Sequence, residues 1–421
     1  MLSTFIRAMG KHRAMALIVI LAGTITSSTN CVAQGPQSAR IGVTAGTGTL
    51  LIAGTNTAFV PRGFTSLGVL YPTVYDTALC TMGNNSPGSA DGKNLIEAQN
   101  EMTTHTPAVL NAMINDWFFN TVRFHVSQGA LEKEYRMVQA DPQATTPYTD
   151  MVRSIVSQAR ARNLIVIAVM QTEIYSCTAY RSDNVPQKLP DQNTANAWKQ
   201  LLTGSTIAND TGVILEILNE PNTQMECGDT APYNWNDWAF GCKNVSQEGM
   251  VTVGNILSRL APNNVLLFDA DNDAGGFQTF PSTLLPMMPP NSAYTVHPFD
   301  YVYGAPDVST SKTHWDARFG AFQAQGNTVF ITAWNESLNC PNDPNQTVTD
   351  DFVQQYLPAH SIGLLGVGWD APQANNGYLV DSYGTNPTFA PQEQTSPTNP
   401  SPCNHTGAKL MQQQFQRESL N

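Results

Sequence analysis

The chain has 421 residues, and its 33 Asp and Glu residues outnumber its 21 Lys and Arg residues, which gives a formal net charge of -12. An acidic chain repels polyanions, so nucleic acid and anionic membrane are not expected as partners, whereas a neutral ligand is compatible. A chain of this length can hold one large barrel or two smaller domains.

The first residues have the pattern of an export signal. Lys11 and Arg13 precede the apolar run Ala14–Gly23, and Cys31-Val32-Ala33 supplies the small residues that a signal peptidase needs. The apolar run is too short to span a bilayer. We therefore predict a signal peptide over residues 1–33, a mature domain over residues 34–421, and secretion to the extracellular space or periplasm without membrane attachment.

Six cysteines remain once Cys31 is removed with the signal: Cys80, Cys177, Cys227, Cys242, Cys340 and Cys403. An even number in an exported chain predicts up to three disulfides, whose pairing the sequence leaves open. Cys227 and Cys242 lie in one loop and are candidates for a bond with each other. Because no Cys-x-x-Cys pair and no closely spaced His pair occurs, a structural zinc site is not expected. We predict no metal and no cofactor.

The first predicted elements are a hairpin and a helix. Thr49–Ile52 and Ala58–Arg62 flank Gly54-Thr55-Asn56, a turn signal, and this hairpin is placed to close a barrel floor before a first strand at Arg62–Ser66. Thr106-Pro107 then gives an N-cap followed by proline at the first helical position, which predicts a helix through Asp116.

Seven further strand-like runs follow: Thr121–Ser127, Leu164–Thr172, Val213–Pro221, Val265–Ala270, Tyr294–Pro298, Thr328–Trp334 and Leu364–Trp369. Helical patterns lie at Met151–Arg162, Gln247–Leu260, Asp350–Ala359 and Gly407–Arg417. Eight apolar strands separated by helices indicate a parallel sheet that can close on itself. We predict an α/β fold, a single-domain (β/α)8 TIM barrel with an N-terminal hairpin and disulfide-bearing loops, in which residues 386–402 form a long last loop.

The run Val213–Pro221 reads VILEILNEP and carries two carboxylates. Alternate residues of a strand share a face, so Glu216 is expected inside the barrel and Glu220 at its carboxyl-terminal rim, with Pro221 ending the ladder. Parallel barrels keep their chemistry at that rim, which favours a functional glutamate over a loop residue that merely precedes a proline. We expect Glu216 to form a structural pair with Arg62.

Polar or aromatic residues also end other predicted strands: Arg123, Gln171, His297 and Trp369. A lone arginine or histidine in a strand is usually a satisfied core or rim residue. Because the carboxyl ends of all barrel strands meet at one mouth, we predict that these side chains converge there with Glu220.

These motifs resemble glycoside hydrolase family 5, the cellulase-type members of clan A of (β/α)8 retaining glycosidases. Asn-Thr-Val-Arg on strand two, Glu-Ile-Leu-Asn-Glu-Pro on strand four, the strand-six histidine and the strand-eight tryptophan carry the resemblance. It implies that Glu220 is the general acid/base and that Asn219 binds the sugar 2-hydroxyl. It also implies that Arg123 holds the nucleophile ionised and that Trp369 stacks under a sugar.

The resemblance fails at the nucleophile. Retaining hydrolysis needs two carboxyl groups about 5–5.5 Å apart, and the acid needs a raised pKa. The family closes strand seven with Thr-Glu and an aromatic residue, but this chain reads Thr332-Ala333-Trp334. The nearest carboxylate is Glu336, the provisional nucleophile if a turn folds it back. Otherwise Ala333 is an engineered substitution, or the protein is a natural relative that lost retaining hydrolysis.

Milder departures concern substrate contacts. Gln171 stands where the family has a histidine, and glutamine still hydrogen-bonds a hydroxyl. Phe299 replaces the strand-six tyrosine, whose hydroxyl Tyr301 or Tyr303 could supply from the loop.

Two further groups near the mouth have alternative interpretations. Trp235 and Trp238 are either an extra sugar platform or packing residues. Asp269, Asp271 and Asp273 lack the glycine and the final glutamate of a calcium loop, so polar substrate contacts are favoured over calcium binding.

Together these features predict a secreted, monomeric retaining glycoside hydrolase that cleaves β-linked polysaccharides or oligosaccharides, foremost an endo-β-1,4-glucanase. The alternatives are a β-mannanase or another β-glycanase on the same scaffold, and a catalytically impaired barrel that binds glycans.

Overall fold

The computed structural model describes residues 40–66, 106–132, 136–138, 145–172, 187–243, 248–299, 307–335, 344–369, 389–391, 393–396, 399–405 and 407–420. Residues 40–421 form one compact unit. The predicted signal peptide, Tyr301, Tyr303 and Glu336 lie outside the described residues, so their roles stay predictions.

A small antiparallel sheet precedes the barrel and consists of β1 (Val43–Ala45), β2 (Leu50–Ile52) and β3 (Ala58–Phe59). Its buried side chains Val43, Leu50 and Phe59 pack against residues inside the barrel, including Ile167 and Phe330. This contact confirms the predicted hairpin as the barrel floor. Each such buried side chain contributes on the order of 1.5–3 kcal/mol to stability.

The remaining strands are, in chain order, β4 (Arg62–Ser66), β5 (Thr121–Ser127), β6 (Arg136–Val138), β7 (Thr145–Pro147), β8 (Ile165–Gln171), β9 (Val213–Glu216), β10 (Leu266–Asp269), β11 (Ser292–Val296), β12 (Val329–Ile331), β13 (Leu364–Val367), β14 (Glu393–Ser396) and β15 (Asn399–His405). Strands β4, β5 and β8 to β13 pair in parallel and form a closed barrel in which β13 pairs with β4. The predicted (β/α)8 barrel is confirmed.

Two pairs of strands lie outside the barrel, and the sequence patterns predicted neither. Strand β6 pairs with β7, and β14 pairs with β15, both antiparallel. The second pair corrects the interpretation of residues 386–402 as a loop. Proline, serine and threonine dominate that segment, and such residues signal turns more strongly than short edge strands.

The helices cover Thr106–Asn115, Gln128–Glu132, Tyr148–Arg160, Gln192–Leu202, Thr223–Cys227, Trp235–Phe240, Gly249–Leu260, Val308–Trp315, Ala321–Ala324, Pro344–Asp351, Leu357–His360 and Ala408–Ser419. Single π-turns at Asp316–Gly320 and Phe352–Tyr356 join neighbouring segments. The helix Gln192–Leu202 was not predicted, although Asp191 caps it by accepting hydrogen bonds from the amides of Asn193 and Thr194. Among the described residues, no helix has both the length and the apolar character needed to cross a membrane.

Strand β9 ends at Glu216, four residues before the predicted rim residue Glu220. The strict alternation of faces stops there, because Ile214 packs inside the barrel while Leu218 packs in the outer core between strands and helices. Glu220 has a φ of 52°, in the left-handed region. The glutamate therefore reaches the mouth on an irregular segment and not on a continuous strand.

Candidate active site

Glu220 lies at the carboxyl-terminal mouth of the barrel, and its side chain is 24% exposed. The amide of the preceding residue, Asn219, still donates to the carbonyl of Met170 on the neighbouring strand β8. The amide of Glu220 donates to Oδ2 of Asp269, the last residue of β10, over 2.9 Å. These bonds fix both sides of the irregular segment and turn the Glu220 carboxyl group toward solvent.

The Glu220 carboxylate contacts the buried imidazole of His297. Nδ1 of His297 donates to Oε1 of Glu220 over 2.9 Å, and Nε2 lies 3.0 Å from Oγ1 of Thr332. Burial raises the pKa of Glu220, but the hydrogen bond from His297 and the positive charges of His297, Lys188 and Arg123 outweigh burial and leave that pKa below its ordinary value. The raised pKa expected of a general acid is therefore absent in this arrangement.

Arg123 is fully buried below the mouth and binds Glu216 with two hydrogen bonds. Its Nη2 also donates to Oδ1 of Asn219 over 2.7 Å, and its Nη1 lies 2.8 Å from Nε2 of His125. The expected pair of Glu216 with Arg62 is wrong. Arg123 projects into the barrel from β5 and reaches Glu216 first, which satisfies the buried charge.

The nucleophile site differs from the expectation in two ways. Arg123, which the resemblance assigned to the nucleophile, directs its strongest contacts to Glu216. Ala333 is 3% exposed and offers only a methyl group after Thr332. Asp269 is a carboxyl group close to Glu220, but it is fully buried and cannot attack a sugar. Neither Ala333 nor Asp269 therefore supplies the second carboxylate that retaining hydrolysis requires.

His125 is held as a neutral imidazole. Burial lowers the pKa of His125 well below its ordinary value, and the charges of Arg123 and His297 lower it further. Since Arg123 donates to Nε2, the proton of His125 is on Nδ1, which has no hydrogen-bond partner among the described residues. Gln171 likewise is 2% exposed with its Oε1 unpartnered in the described part of the chain. Both atoms are buried, so among the residues that the structure describes each is an unsatisfied polar group just below the mouth.

The tryptophans are packing residues in this structure. Trp369 is 1% exposed and contacts the rings of Phe64, Trp117, Phe119 and Phe389, so the face that sugar stacking requires is covered. Trp235 stacks on Phe277, and Trp238 is fully buried and donates to the carbonyl of Asp269. Of the two interpretations of Trp235 and Trp238, packing is correct.

The loop after Glu220 is fixed by a disulfide and by two carboxylates. Cys227 and Cys242 are bonded, as the sequence allowed. Asp271 accepts hydrogen bonds from the amide and hydroxyl of Thr223, and the exposed carboxylate of Asp273 accepts from Lys188 and Asn222. Asp269 and Asp271 are fully buried, which corrects their interpretation as substrate contacts.

Two groups of described residues bring three possible metal ligands together. In the first, Glu216, Asp269 and His297, both Glu216 oxygens accept from Arg123 and both His297 nitrogens have partners. The second contains Cys227, whose sulfur is in the disulfide. In each group at least one of the three side chains is therefore already committed to other partners, which does not favour a metal site among the described residues.

A parallel eight-stranded barrel with a hydrogen-bonded glutamate, an asparagine and a histidine at its carboxyl-terminal mouth has the arrangement of a (β/α)8 enzyme site. The family model for cellulase, glycosyl hydrolase family 5, matches residues 87–375, well over half of the chain. The chain therefore belongs to glycoside hydrolase family 5.

Solved structures share the fold at low sequence identity. A β-glucanase from Saccharophagus degradans in complex with cellotetraose has a TM-score of 0.61 and 16% identity, over 90% of this chain and 94% of that one. An endocellulase from Pyrococcus horikoshii in complex with cellotetraose has a TM-score of 0.58 and 13% identity, over 90% and 99%. The endoglucanase catalytic domain of Thermobifida fusca has a TM-score of 0.52 and 15% identity, over 90% and 97%. A comparison with curated protein sequences found no significant match.

Proposed function

We propose that the protein is an exported endo-β-1,4-glucanase that hydrolyses its substrate with retention, with Glu220 as the general acid/base. One observation carries this proposal. The carboxyl group of Glu220 is partly exposed at the barrel mouth while its backbone amide and its side chain are fixed by Asp269 and His297. A proton donor must be held in this way to meet the leaving oxygen in a defined geometry.

Asn219 supports the same chemistry. Its Oδ1 accepts from the buried guanidinium of Arg123, which sets the orientation of the amide and leaves Nδ2 as the free donor. A donor next to Glu220 is suited to the 2-hydroxyl of a sugar, where hydrogen bonds strengthen in the transition state. The buried atoms Nδ1 of His125 and Oε1 of Gln171 lack partners among the described residues, and a sugar hydroxyl that entered the mouth deeply enough could satisfy them.

The substrate class follows from charge and from relatives. The net charge of -12 favours a neutral polysaccharide over an acidic one. Two relatives with the same fold were solved with cellotetraose, a β-1,4-glucan fragment. Hydrolysis of the neutral polymers hydroxyethyl cellulose, mannan and xylan, measured as released reducing sugar, ranks glucanase against mannanase and xylanase activity. Faster release from mannan than from cellulose would replace the glucanase proposal with a β-mannanase.

The nucleophile is the open part of the mechanism. A second carboxylate near Glu220 would counteract the charge of His297 and raise the pKa of Glu220, as an acid catalyst requires. Glu336 is the provisional source, and Ala333 marks the alternative, an impaired barrel that binds glycans. The alternative is favoured by one observation, the buried methyl group at the position where the family has its nucleophile.

Four variants distinguish these alternatives. If Glu336 is the nucleophile, E336Q abolishes the activity of the native chain and A333E adds nothing. If position 333 is the nucleophile site, A333E raises hydrolysis by orders of magnitude, whereas the matched control A333Q, equal in size but uncharged, does not. E220Q should abolish activity in either background. A native chain and an A333E variant that neither hydrolyse nor bind the three polysaccharides would refute the proposal.

A further inference from the structure

We propose that Asp269 is a positioning residue for Glu220, and that it acts as a neutral carboxylic acid that donates its proton to Glu216 while accepting the amide hydrogen of Glu220. The positioning part rests on the proposed function of Glu220. The protonation part rests on the geometry of the barrel interior alone.

The hydrogen bonds of Asp269 are incomplete if it is a carboxylate. Its side chain is fully buried at the end of β10, and Oδ2 accepts from the amide of Glu220. Oδ1 has no donor among the described residues. A carboxyl oxygen of Glu216 lies within 4.8 Å of one from Asp269, and neither carboxylate can donate to the other. A proton on Oδ1 removes the conflict, because Asp269 then becomes a donor and Glu216 its acceptor.

The charge balance leads to the same result. The charged and titratable groups that face Asp269 are Glu216, Arg123, His297 and Glu220. Arg123 and Glu216 already neutralise each other through two hydrogen bonds, and the nearer nitrogen of His297 lies 3.8 Å from Oδ2, beyond hydrogen-bond distance. His297 gives its short hydrogen bond to Glu220 instead, so an ionised Asp269 would be a third anion beside two cationic side chains that already have partners. Burial and the charge of Glu216 accordingly raise the pKa of Asp269 well above its ordinary value.

The consequence for Glu220 is conformational. A residue with a side chain rarely adopts a φ of 52°, and it persists only where its surroundings fix it. Asp269 supplies the acceptor for that amide, and its own backbone carbonyl is held by the indole nitrogen of Trp238. The carboxylic acid therefore links the Arg123–Glu216 pair to the residue that must present a proton at the mouth.

The first test measures stability and needs no enzymatic activity. An amide has the same shape as a carboxylic acid and keeps one donor and one acceptor, so D269N should reproduce the neutral form of Asp269. An acid whose pKa is raised by folding contributes stability that is present below its unfolded pKa and is lost as pH rises toward its folded pKa. The amide of D269N does not titrate, so this variant does not lose stability in that way as pH rises.

We therefore expect the unfolding constant of D269N, divided by that of the wild type, to fall by about tenfold or more between pH 4 and pH 7.5, since one unit of pKa difference is a factor of ten. The matched control is D210N, which removes the carboxylate that pairs with Arg160, and which should unfold more readily than the wild type at pH 7.5. A D269N ratio that stays flat or rises with pH would show that Asp269 is ionised and would overturn the proposal, whether or not the protein hydrolyses glycans.

The second test addresses positioning. It uses the native chain or the A333E variant, depending on which of the two hydrolyses substrate. D269A removes the acceptor and should lower kcat by about 10- to 100-fold with little change in KM, because proton donation depends on position more than substrate binding does. D269N should retain a clearly larger fraction of kcat than D269A. Equal losses in the two variants, or a loss confined to KM, would contradict the positioning role while leaving the function of Glu220 intact.

Discussion

Replacing Arg123 with methionine should lower the free energy of unfolding by about 3–5 kcal/mol, because Glu216 would then be a buried charge without a counter-ion. Both side chains are essentially unexposed, at 1% and 0%, and the guanidinium binds both carboxylate oxygens. E216L should lower the free energy of unfolding by less than R123M does. When Glu216 is absent, Asp269 can lose its proton and neutralise Arg123, whereas no comparable cation replaces the guanidinium.

Urea denaturation at pH 7, followed by tryptophan fluorescence, measures these differences through the midpoint at constant slope. The loss of unfolding free energy in the double variant R123M/E216L should be at least about 1 kcal/mol smaller than the sum of the losses in the two single variants. The reason is that the double variant removes both charges and leaves neither without a counter-ion. K312A is the control, since Lys312 and Asp351 form a pair with side chains 42% and 19% exposed, and it should cost no more than about 1 kcal/mol. An R123M variant within about 1 kcal/mol of the wild type, or strictly additive single variants, would refute a structural role for the pair.

Three further predictions follow from other contacts. H297F removes the hydrogen bond and the charge that lower the pKa of Glu220, so the alkaline limb of the kcat/KM profile should move to higher pH. A move to lower pH would contradict the assignment of Glu220 as the acid. The disulfide Cys227–Cys242 closes a loop with a sequence separation of 15 residues, and its reduction should lower the free energy of unfolding by up to about 3 kcal/mol. An unchanged midpoint of urea denaturation would show that the loop needs no covalent link. Gly63→Ala places a methyl group 1.8 Å from a backbone carbonyl oxygen of the adjacent barrel strand. Its loss of stability should exceed the roughly 1–3 kcal/mol that is typical of overpacking, and its thermal unfolding temperature should fall accordingly. An unfolding temperature equal to that of the wild type would mean that the two strands can move apart to make room.

The barrel could be predicted from the sequence because each strand is a short apolar run between polar segments. The limits of Thr121–Ser127 and Arg62–Ser66 agree with the structure residue for residue. The error came at Val213–Pro221, where apolar composition continues after the alternation of faces has ended. Composition does not distinguish Leu218, which packs outside the barrel, from Ile214, which packs inside it.

The sequence predicted that Asn219, Glu220 and His297 lie together at the mouth, but it did not predict their hydrogen-bond partners, and it wrongly assigned sugar stacking to the buried Trp369. His297 was placed at the mouth from its strand, and it contacts Glu220 directly. The pairing of Glu216 with Arg123 was missed, because which of two arginines reaches a buried carboxylate depends on barrel geometry. Asp269 was assigned to substrate contacts because its neighbours are polar, and only its complete burial shows otherwise. A carboxyl group at the end of a strand, adjacent to the strand that bears the acid, is the signal that could have identified it.

The filled floor of the barrel also limits how a polymer can use the mouth. Val43, Leu50 and Phe59 occupy the end opposite Glu220, so a polysaccharide has no route along the barrel axis. It can approach Glu220 only from the open side of the barrel. The proposed cutting at internal bonds is compatible with such an approach, because no chain terminus has to pass through the barrel before the bond reaches Glu220.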